Sequence, residues 1–348
     1  MATAYATLTT PQDMPEKPAA APAAVASTPT ALAPARPNAV GMAIKGWAKS
    51  LLAPLAGIAI FLALWAVLAP QVQTSLGALP GPVEVAGQGG ALFEEWQAAS
   101  ANEAQFYADQ EARNAAAVAA GNSAGVTEFA YNGPPTFLDQ ILTSLKTVAL
   151  GFGLATLVAV PIGLVCGLSP TVNAAINPLV QIMKPVSPLA WLPIVTMVIS
   201  AVVTSADPVL AKSFIISALV VMLCSLWPTL INTSVGTASI DKDLLNVGRV
   251  LKLGWFAKLT KLVLPSSLPY IFTGMRLSLG VGWMVLIAAE MLSQNPGLGK
   301  FVWDEFQNGS SQSLARIMFA VVVIGFIGFG LDRLMMALEG LVSRNRTV

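Results

Sequence analysis

One arginine, Arg276, lies inside a long apolar stretch of the chain, where a charged side chain needs a dedicated partner. If its helix begins near Pro265, Arg276 is about 16 Å along the axis, close to the middle of a bilayer. The guanidinium is a planar fork of N–H donors and suits a planar oxyanion such as nitrate or bicarbonate. Arg276 therefore predicts either an anion contact on a translocation path or an ion pair within a helix bundle.

Further polar and aromatic residues are candidates for the same path. Glu290 and Lys146 are two of them. Glu290 shares nearly the same helix face as Arg276 but lies too far along the axis to pair with it, and a contact of Glu290 with Lys146 or Lys212 is the alternative. Pro188 and Trp191, in a proline-rich apolar segment, are the last two path candidates. Packing is the alternative role for Trp191.

A basic, amphipathic segment runs from Asp241 to Lys261. Apolar residues recur at steps of three and four, which predicts one apolar helix face: Leu244, Val247, Leu251, Trp255, Leu259 and Leu262. Aspartates open the segment and lysines close it, in agreement with the helix dipole. Gly254 can break it, so one helix or two short helices are both consistent with the pattern. Such a segment either lies on the lipid surface or docks a cytoplasmic partner.

Composition excludes several classes of protein. Hydrophobic residues make up 55% of the chain and charged residues only 11%, which indicates a protein solvated largely by lipid. The chain has no histidine, and its two cysteines, Cys166 and Cys224, sit in apolar runs. We therefore expect no metal, no bound cofactor and no cysteine nucleophile. A net charge of +1 gives no reason to expect nucleic acid as a partner.

The apolar runs predict an all-α integral membrane protein of about six transmembrane helices. The expected crossings are 51–68, 142–168, 176–203, 212–231, 265–292 and 314–334. The third contains four prolines, so we expect a broken helix buried in a bundle. Cations at both ends of the chain place both termini in the cytoplasm by the positive-inside rule.

The chain divides into four regions. We expect a disordered, Ala- and Pro-rich cytoplasmic tail over 1–45, a first transmembrane helix over 46–70, and an acidic, outward-facing loop over 71–137 that is helical in part from Leu92 to Val118. A core permease domain follows over 138–341, with its cytoplasmic coupling segment at 241–262.

The coupling segment and its surroundings resemble the permease subunits of bacterial ABC importers. Their loop pattern is Glu-Ala-Ala, three residues, Gly, nine residues, Ile, one residue, Leu-Pro. Counting back from Leu264-Pro265 places Lys252 at the Gly position and Asn246, Val247 and Gly248 at Glu-Ala-Ala. The segments INPLVQIMKPVSPLAWLPI, LPYIFTGMRLSLGVGWMVLIAAEML and GLGKFVWDEF lie in the order expected of that family. They are most similar to nitrate permeases, whose relatives move bicarbonate, cyanate and sulfonates.

The resemblance implies a transport subunit of the bacterial inner membrane and not an enzyme. Two permease copies pair, two cytoplasmic ATPases dock on the coupling segments, and an outward-side binding protein delivers a small anion, with nitrate or nitrite as the first candidate. ATP and magnesium belong to the partner subunits. The coupling residues implied are Asn246, Val247, Gly248, Arg249, Lys252, Gly254, Lys258, Leu264 and Pro265.

The chain has no phosphate-binding loop of its own, because Phe301 follows Gly299-Lys300 where Ser or Thr is needed. Any ATP chemistry must therefore come from a partner, and the resemblance implies alternating access driven by partner ATPases. The alternatives are bicarbonate, cyanate, sulfonate or taurine as the substrate of the same machinery, and an autonomous anion channel or secondary transporter.

Overall fold

The computed structural model describes residues 39–74, 77–121, 126–204, 210–310 and 312–344. Ala59–Val348 forms one compact unit. In the described part, the helices are α1 (Ala39–Leu68), α2 (Pro82–Ala119), α3 (Phe137–Leu168), α4 (Pro170–Met183), α5 (Pro188–Val202), α6 (Lys212–Ala238), α7 (Lys242–Val250), α8 (Trp255–Lys258), α9 (Leu264–Ser293), α10 (Leu298–Asn308) and α11 (Ser313–Arg344). Two short antiparallel strands, β1 (Gln73–Thr74) and β2 (Gly77–Ala78), form the described sheet.

Five segments of the described chain are long and apolar enough to cross a membrane: Leu52–Gln71, Phe137–Leu168, Lys212–Ala238, Trp255–Ser293 and Ser313–Val342. The pair α4 and α5 makes a sixth if it counts as one span. The prediction of an all-α membrane protein with about six transmembrane helices is therefore confirmed.

Several boundaries differ from those read off the sequence. Residues 1–38 of the expected tail lie outside the described residues, and the described chain is already helical at Ala39, before the expected start of the first transmembrane helix. Helix α6 continues through Pro228 to Ala238 instead of ending near Ile231. Its long contacts with α3 and α9 support the helix past the proline.

The proline-rich third segment is broken, as its composition predicts. Helix α4 and helix α5 meet at an angle of 102°. Each begins with a serine N-cap followed by a proline: Ser169 accepts a hydrogen bond from the N–H of Val172 (3.4 Å), and Ser187 accepts one from Leu189 (3.3 Å). The local sequence thus encodes two helix starts, and the bend between them follows.

Helices α3, α6 and α9 form the centre of the bundle, with α6 packed against both neighbours. Hydroxyl pairs bridge α6 and α9 near both ends and in the middle: Ser217–Ser293 (2.7 Å), Thr229–Ser278 (2.7 Å) and Thr237–Ser267 (3.2 Å). Most of these residues are buried. Because lipid offers no hydrogen-bond partners, each pair satisfies groups that would otherwise be costly to bury.

Glycines let α3 approach α6 closely. A Cβ added at Gly163 would lie 2.6 Å from the Cβ of Thr233 and 2.8 Å from the carbonyl oxygen of Leu230. Gly167 is in similar contact with Thr237 one turn further on. The small-xxx-small spacing of the two glycines therefore marks a tight helix contact.

The region between α1 and α3 is more ordered than the predicted loop over 71–137. It contains the 38-residue helix α2, which begins at Pro82, ten residues before the expected start. Glu84 accepts a hydrogen bond from the N–H of Gly81 (3.2 Å) and fixes this start. Arg316 of α11 then holds α2 by contacting Glu95 (2.5 Å), while it also contacts Glu305 of α10 (3.1 Å). These ion pairs join residues far apart in the chain, so no local pattern predicts them.

The glycine contacts yield a matched test within one helix. Gly163→Ala should lower the free energy of unfolding by about 1–3 kcal/mol, because the new methyl overlaps Thr233 and forces the helices apart. Gly153→Ala in the same helix meets nothing within 4 Å and should raise it by about 0.5–1 kcal/mol through helix propensity. SDS-titration unfolding of the purified protein measures both, and equal effects would contradict the close-contact role of Gly163.

Candidate functional site

The predicted coupling segment folds as helix α7, a sharp turn, and helix α8, which runs through a π-helical turn over Leu259–Val263 into α9. Asp241 caps α7 by accepting a hydrogen bond from the N–H of Asp243 (2.9 Å). The segment is thus two helices, and α8 and α9 together form one helical span of 39 residues, Trp255–Ser293.

A Schellman motif ends α7. The N–H of Lys252 donates to the carbonyl of Arg249 and the N–H of Leu253 to the carbonyl of Gly248, each at 3.0 Å. The motif requires one residue in the left-handed conformation, and Lys252 is that residue, with a φ of 51°. Lys252 is also the residue that the spacing places where the ABC permease pattern has glycine. The backbone at this position therefore explains why glycine suits it.

The turn divides the apolar face that a single helix would have. Leu244 and Leu259 pack towards the bundle in a cluster with Ile240 and Val263. Five other apolar side chains of this stretch are exposed to 50–81%: Val247, Val250, Leu251, Trp255 and Phe256. Of the two arrangements that the pattern allowed, two short helices are the one present. Because the chain reverses at Lys252, the apolar face is divided between them and part of it points outward.

The other predicted coupling residues surround this exposed apolar surface. Arg249 donates to Asn246 (3.2 Å), and both are exposed on α7. Gly248 is buried, and a Cβ there would lie 2.7 Å from Leu262, so α7 packs directly on the helix that leads into α9. The rest of the set lies at the turn and at the start of the long helix: Gly254 is the N-cap of α8, Lys258 ends α8, and Leu264 and Pro265 begin α9.

Arg276 is paired. Its Nε donates to Oδ1 of Asp332 (2.5 Å) and its Nη2 to Oδ2 (3.0 Å), a bidentate contact between α9 and α11. Asp332 lies about 28 Å along the 32-residue helix α11 from its start at Ser313, so the pair lies near the middle of this helix and not at either end. Of the two predicted roles, the ion pair is the one present in this structure. The path role stays a prediction.

A cavity of about 250 Å³ adjoins this ion pair. Its walls are formed by one face each of α9 and α11: Arg276, Leu279, Gly280, Trp283, Gly328, Leu331 and Asp332. Trp283 is fixed by a hydrogen bond from its Nε1 to the carbonyl of Ile324 (3.0 Å). The sequence did not predict Asp332 as a site residue, because only the antiparallel packing of α9 and α11 brings it to Arg276.

Glu290 contacts neither Lys146 nor Lys212, so that alternative was wrong. Its fully buried carboxylate accepts hydrogen bonds from Ser144 Oγ (2.9 and 2.7 Å), the N–H of Gly299 (3.0 Å) and Asn295 Nδ2 (3.4 Å). These donors join α3, α9 and the first turn of α10. The carboxylate is occupied by protein donors, which opposes its assignment to a solute path.

The remaining path candidates are apart from Arg276 in the sequence and on other helices. Lys146 is exposed on α3. Pro188 is the first residue of α5, at the bend after α4, and Trp191 lies one turn further on. The indole Nε1 of Trp191 is buried and has no acceptor among the described residues. Their place on a path stays a prediction.

Comparisons with known proteins agree with this architecture. The profile of the family described as binding-protein-dependent transport system inner membrane component matches residues 159–344. The nitrate import permease protein NrtB of Synechococcus elongatus is 38% identical over 204 residues, which are 59% of this chain and 69% of that protein. The chain belongs to this permease family.

A second relative covers more of the permease. The bicarbonate transport system permease protein CmpB of Synechococcus elongatus is 34% identical over 308 residues, 87% of this chain and 94% of that protein. CmpB of Synechocystis is 38% identical over 205 residues. The predicted ABC permease family, in its nitrate and bicarbonate branch, is thus confirmed, and the chain is a transport subunit and not an enzyme. The relatives do not separate nitrate from bicarbonate.

The backbone at Lys252 predicts how substitutions there behave. Lys252→Gly and Lys252→Asn should keep the Schellman motif, because both residues adopt the left-handed conformation readily. Lys252→Val should weaken it by about 1–2 kcal/mol, because a β-branched side chain clashes at positive φ. Hydrogen exchange at the amides of Lys252 and Leu253 measures this. Equal protection in the Val and Asn variants would contradict the assigned turn.

Proposed function

We propose that this permease forms, with a second copy of itself, the translocation path of an ATP-driven importer for a small planar anion, with nitrate as the first candidate and bicarbonate as the second. The observation that carries the proposal is the exposed apolar surface of α7 and α8, bordered by cations and closed by a turn at the family's glycine position. A surface of this kind suits a protein partner better than water.

The long helix Trp255–Ser293 supplies a mechanical route for this mechanism. It begins beside the turn at Lys252 and contains Arg276, so a force applied at Trp255 reaches the region of the ion pair through one continuous helix. On this proposal, two cytoplasmic ATPase subunits hold ATP and magnesium, and their closure moves both coupling segments. The helix bundles then rock between outward-facing and inward-facing states.

The proposal includes the surroundings of the subunit. The permease is a multi-pass protein of the bacterial inner membrane with both termini in the cytoplasm, and a binding protein on the outer side delivers the anion. Nitrate is the first candidate because the quoted segments resemble those of nitrate permeases. Bicarbonate is the second because CmpB relatives are as similar to this chain as NrtB is, and because bicarbonate is also planar and fits an arginine fork.

Charge reversal at the coupling segment tests the docking role. In the double variant Lys252→Glu, Lys258→Glu, the amount of ATPase that co-purifies should fall tenfold or more, because favourable charge pairs become repulsive. A tenfold loss of affinity corresponds to about 1.4 kcal/mol. Membrane insertion should be unchanged. Lys212→Glu, an exposed lysine at the start of α6, is the control and should leave co-purification intact. Full recovery of ATPase with the double variant would count against docking at this surface.

Reconstituted transport tests the function itself. Vesicles are prepared that contain the permease, its ATPases and its binding protein. Labelled nitrate should accumulate only when ATP is present on the side of the membrane that carries the ATPases. Labelled bicarbonate in the same assay decides between the two anions. Uptake at full rate without ATPase subunits would instead identify an autonomous channel or secondary transporter.

A further inference from the structure

The contact between Arg276 and Asp332 has the geometry of anion recognition. Two N–H groups of one guanidinium edge each donate to one carboxylate oxygen, at 2.5 and 3.0 Å. A carboxylate is a planar group that offers two oxygens to this edge, and nitrate and bicarbonate offer the same arrangement. The fork therefore does not distinguish Asp332 from a free planar oxyanion by shape.

The pair is accessible, unlike the other carboxylate inside the bundle. The side chains of Arg276 and Asp332 are 42% and 36% exposed, whereas Glu290 is fully buried. Contacts such as Trp283 with Ile324 already join α9 to α11 without help from the ion pair. Because both side chains are partly exposed, another ligand has access to the charged groups of the pair.

Space for such a ligand lies directly beside the pair. The cavity of about 250 Å³ is lined by Gly280 and Gly328. Gly328 leaves room for the ring of Trp283, which a Cβ would approach to 3.0 Å. A Cβ at Gly280 would meet nothing within 4 Å. The cavity is thus open next to the guanidinium, and a small planar anion could enter it while Asp332 turns away.

The charges around Arg276 determine how an incoming anion competes with Asp332 for the guanidinium. Arg333 faces the ring of Phe329 at 4.7 Å and is turned to its own helix, which leaves Arg276 as the cation that Asp332 contacts in the described chain. Glu339, two turns further on α11, adds a second negative charge to the field around Arg276. Both carboxylates disfavour an incoming anion until Asp332 is displaced.

We propose that Arg276 and the adjacent cavity form an anion site and that Asp332 occupies it as an internal competitor in the unloaded permease. This inference rests on the proposed function and adds to it a role for Asp332, whose carboxylate leaves the site when the anion binds and returns when the anion dissociates. A planar oxyanion exchanges with the Asp332 carboxylate on the same two N–H donors, so the ion pair between α9 and α11 opens when the anion binds. No bond is made or broken except these hydrogen bonds.

The test measures nitrate binding by calorimetry to the complete permease–ATPase complex in lipid nanodiscs, without binding protein and with nitrate replacing chloride at constant ionic strength. Asp332→Asn removes the competing charge and should bind nitrate about tenfold more tightly than the natural chain, because the competent site is no longer filled. Asp332→Glu keeps a competing carboxylate and should not show this gain. Asp332→Ser gives the same test if the asparagine variant does not fold.

A second set of variants separates an anion site from a structural pair. Arg276→Gln with Asp332→Asn removes both charges, so it should fold like Asp332→Asn but bind no nitrate. Gly280→Leu added to Asp332→Asn fills the cavity and should also abolish binding. The affinity for sulfate, which is tetrahedral, should rise less than the affinity for nitrate on Asp332→Asn. Nitrate affinity equal in the natural chain and Asp332→Asn, or unchanged by loss of Arg276, would overturn the proposal.

The outcome is independent of the function assay. If the natural permease accumulates nitrate with ATP but Asp332→Asn binds it no more tightly, the internal competitor is refuted and the importer function stands. If Asp332→Asn binds nitrate tightly through Arg276 but no ATP-driven uptake of nitrate or bicarbonate occurs, the anion site is supported and the importer function fails.

Discussion

The absence of hydrogen-bond partners in lipid is the constraint on which the rest of this structure depends. Polar groups inside the bundle must be satisfied by other helices, and here hydroxyl pairs such as Thr229–Ser278 join α6 to α9. Glycines such as Gly163 bring α3 within contact of α6. Small residues and short hydroxyl side chains thus replace the hydrophobic driving force that water provides to soluble bundles.

This close packing makes α3, α6 and α9 a rigid centre to which the other parts attach. The coupling segment is continuous with α9 through the span Trp255–Ser293, and Gly248 packs α7 onto its first turns. At the opposite end, Glu290 ties α3 and the start of α10 to the same helix. A movement at the coupling segment therefore acts on a unit that spans the bundle and not on a flexible loop.

Two carboxylates illustrate two ways of holding charge in a membrane protein. Glu290 is enclosed by donors from three elements, and its geometry depends on all of them. Asp332 has one strong partner, Arg276, and remains accessible beside a cavity. The first arrangement fixes structure because its acceptor oxygens are already filled by protein donors. The second, on our proposal, exchanges partners as a transport site requires.

Local sequence determined the helices, the membrane class, the break between α4 and α5, and the position of the coupling segment, because hydropathy and capping act over a few residues. Serine before proline at Ser169 and Ser187 is enough to start two helices. Only the tertiary structure decided that Arg276 meets Asp332, that Glu290 meets Ser144, and that Lys252 turns the chain so that part of the predicted apolar stripe faces outward. The first two contacts join residues of different helices, and the turn depends on a lysine in a left-handed conformation. The periodicity of the sequence predicts neither a contact between helices nor such a turn.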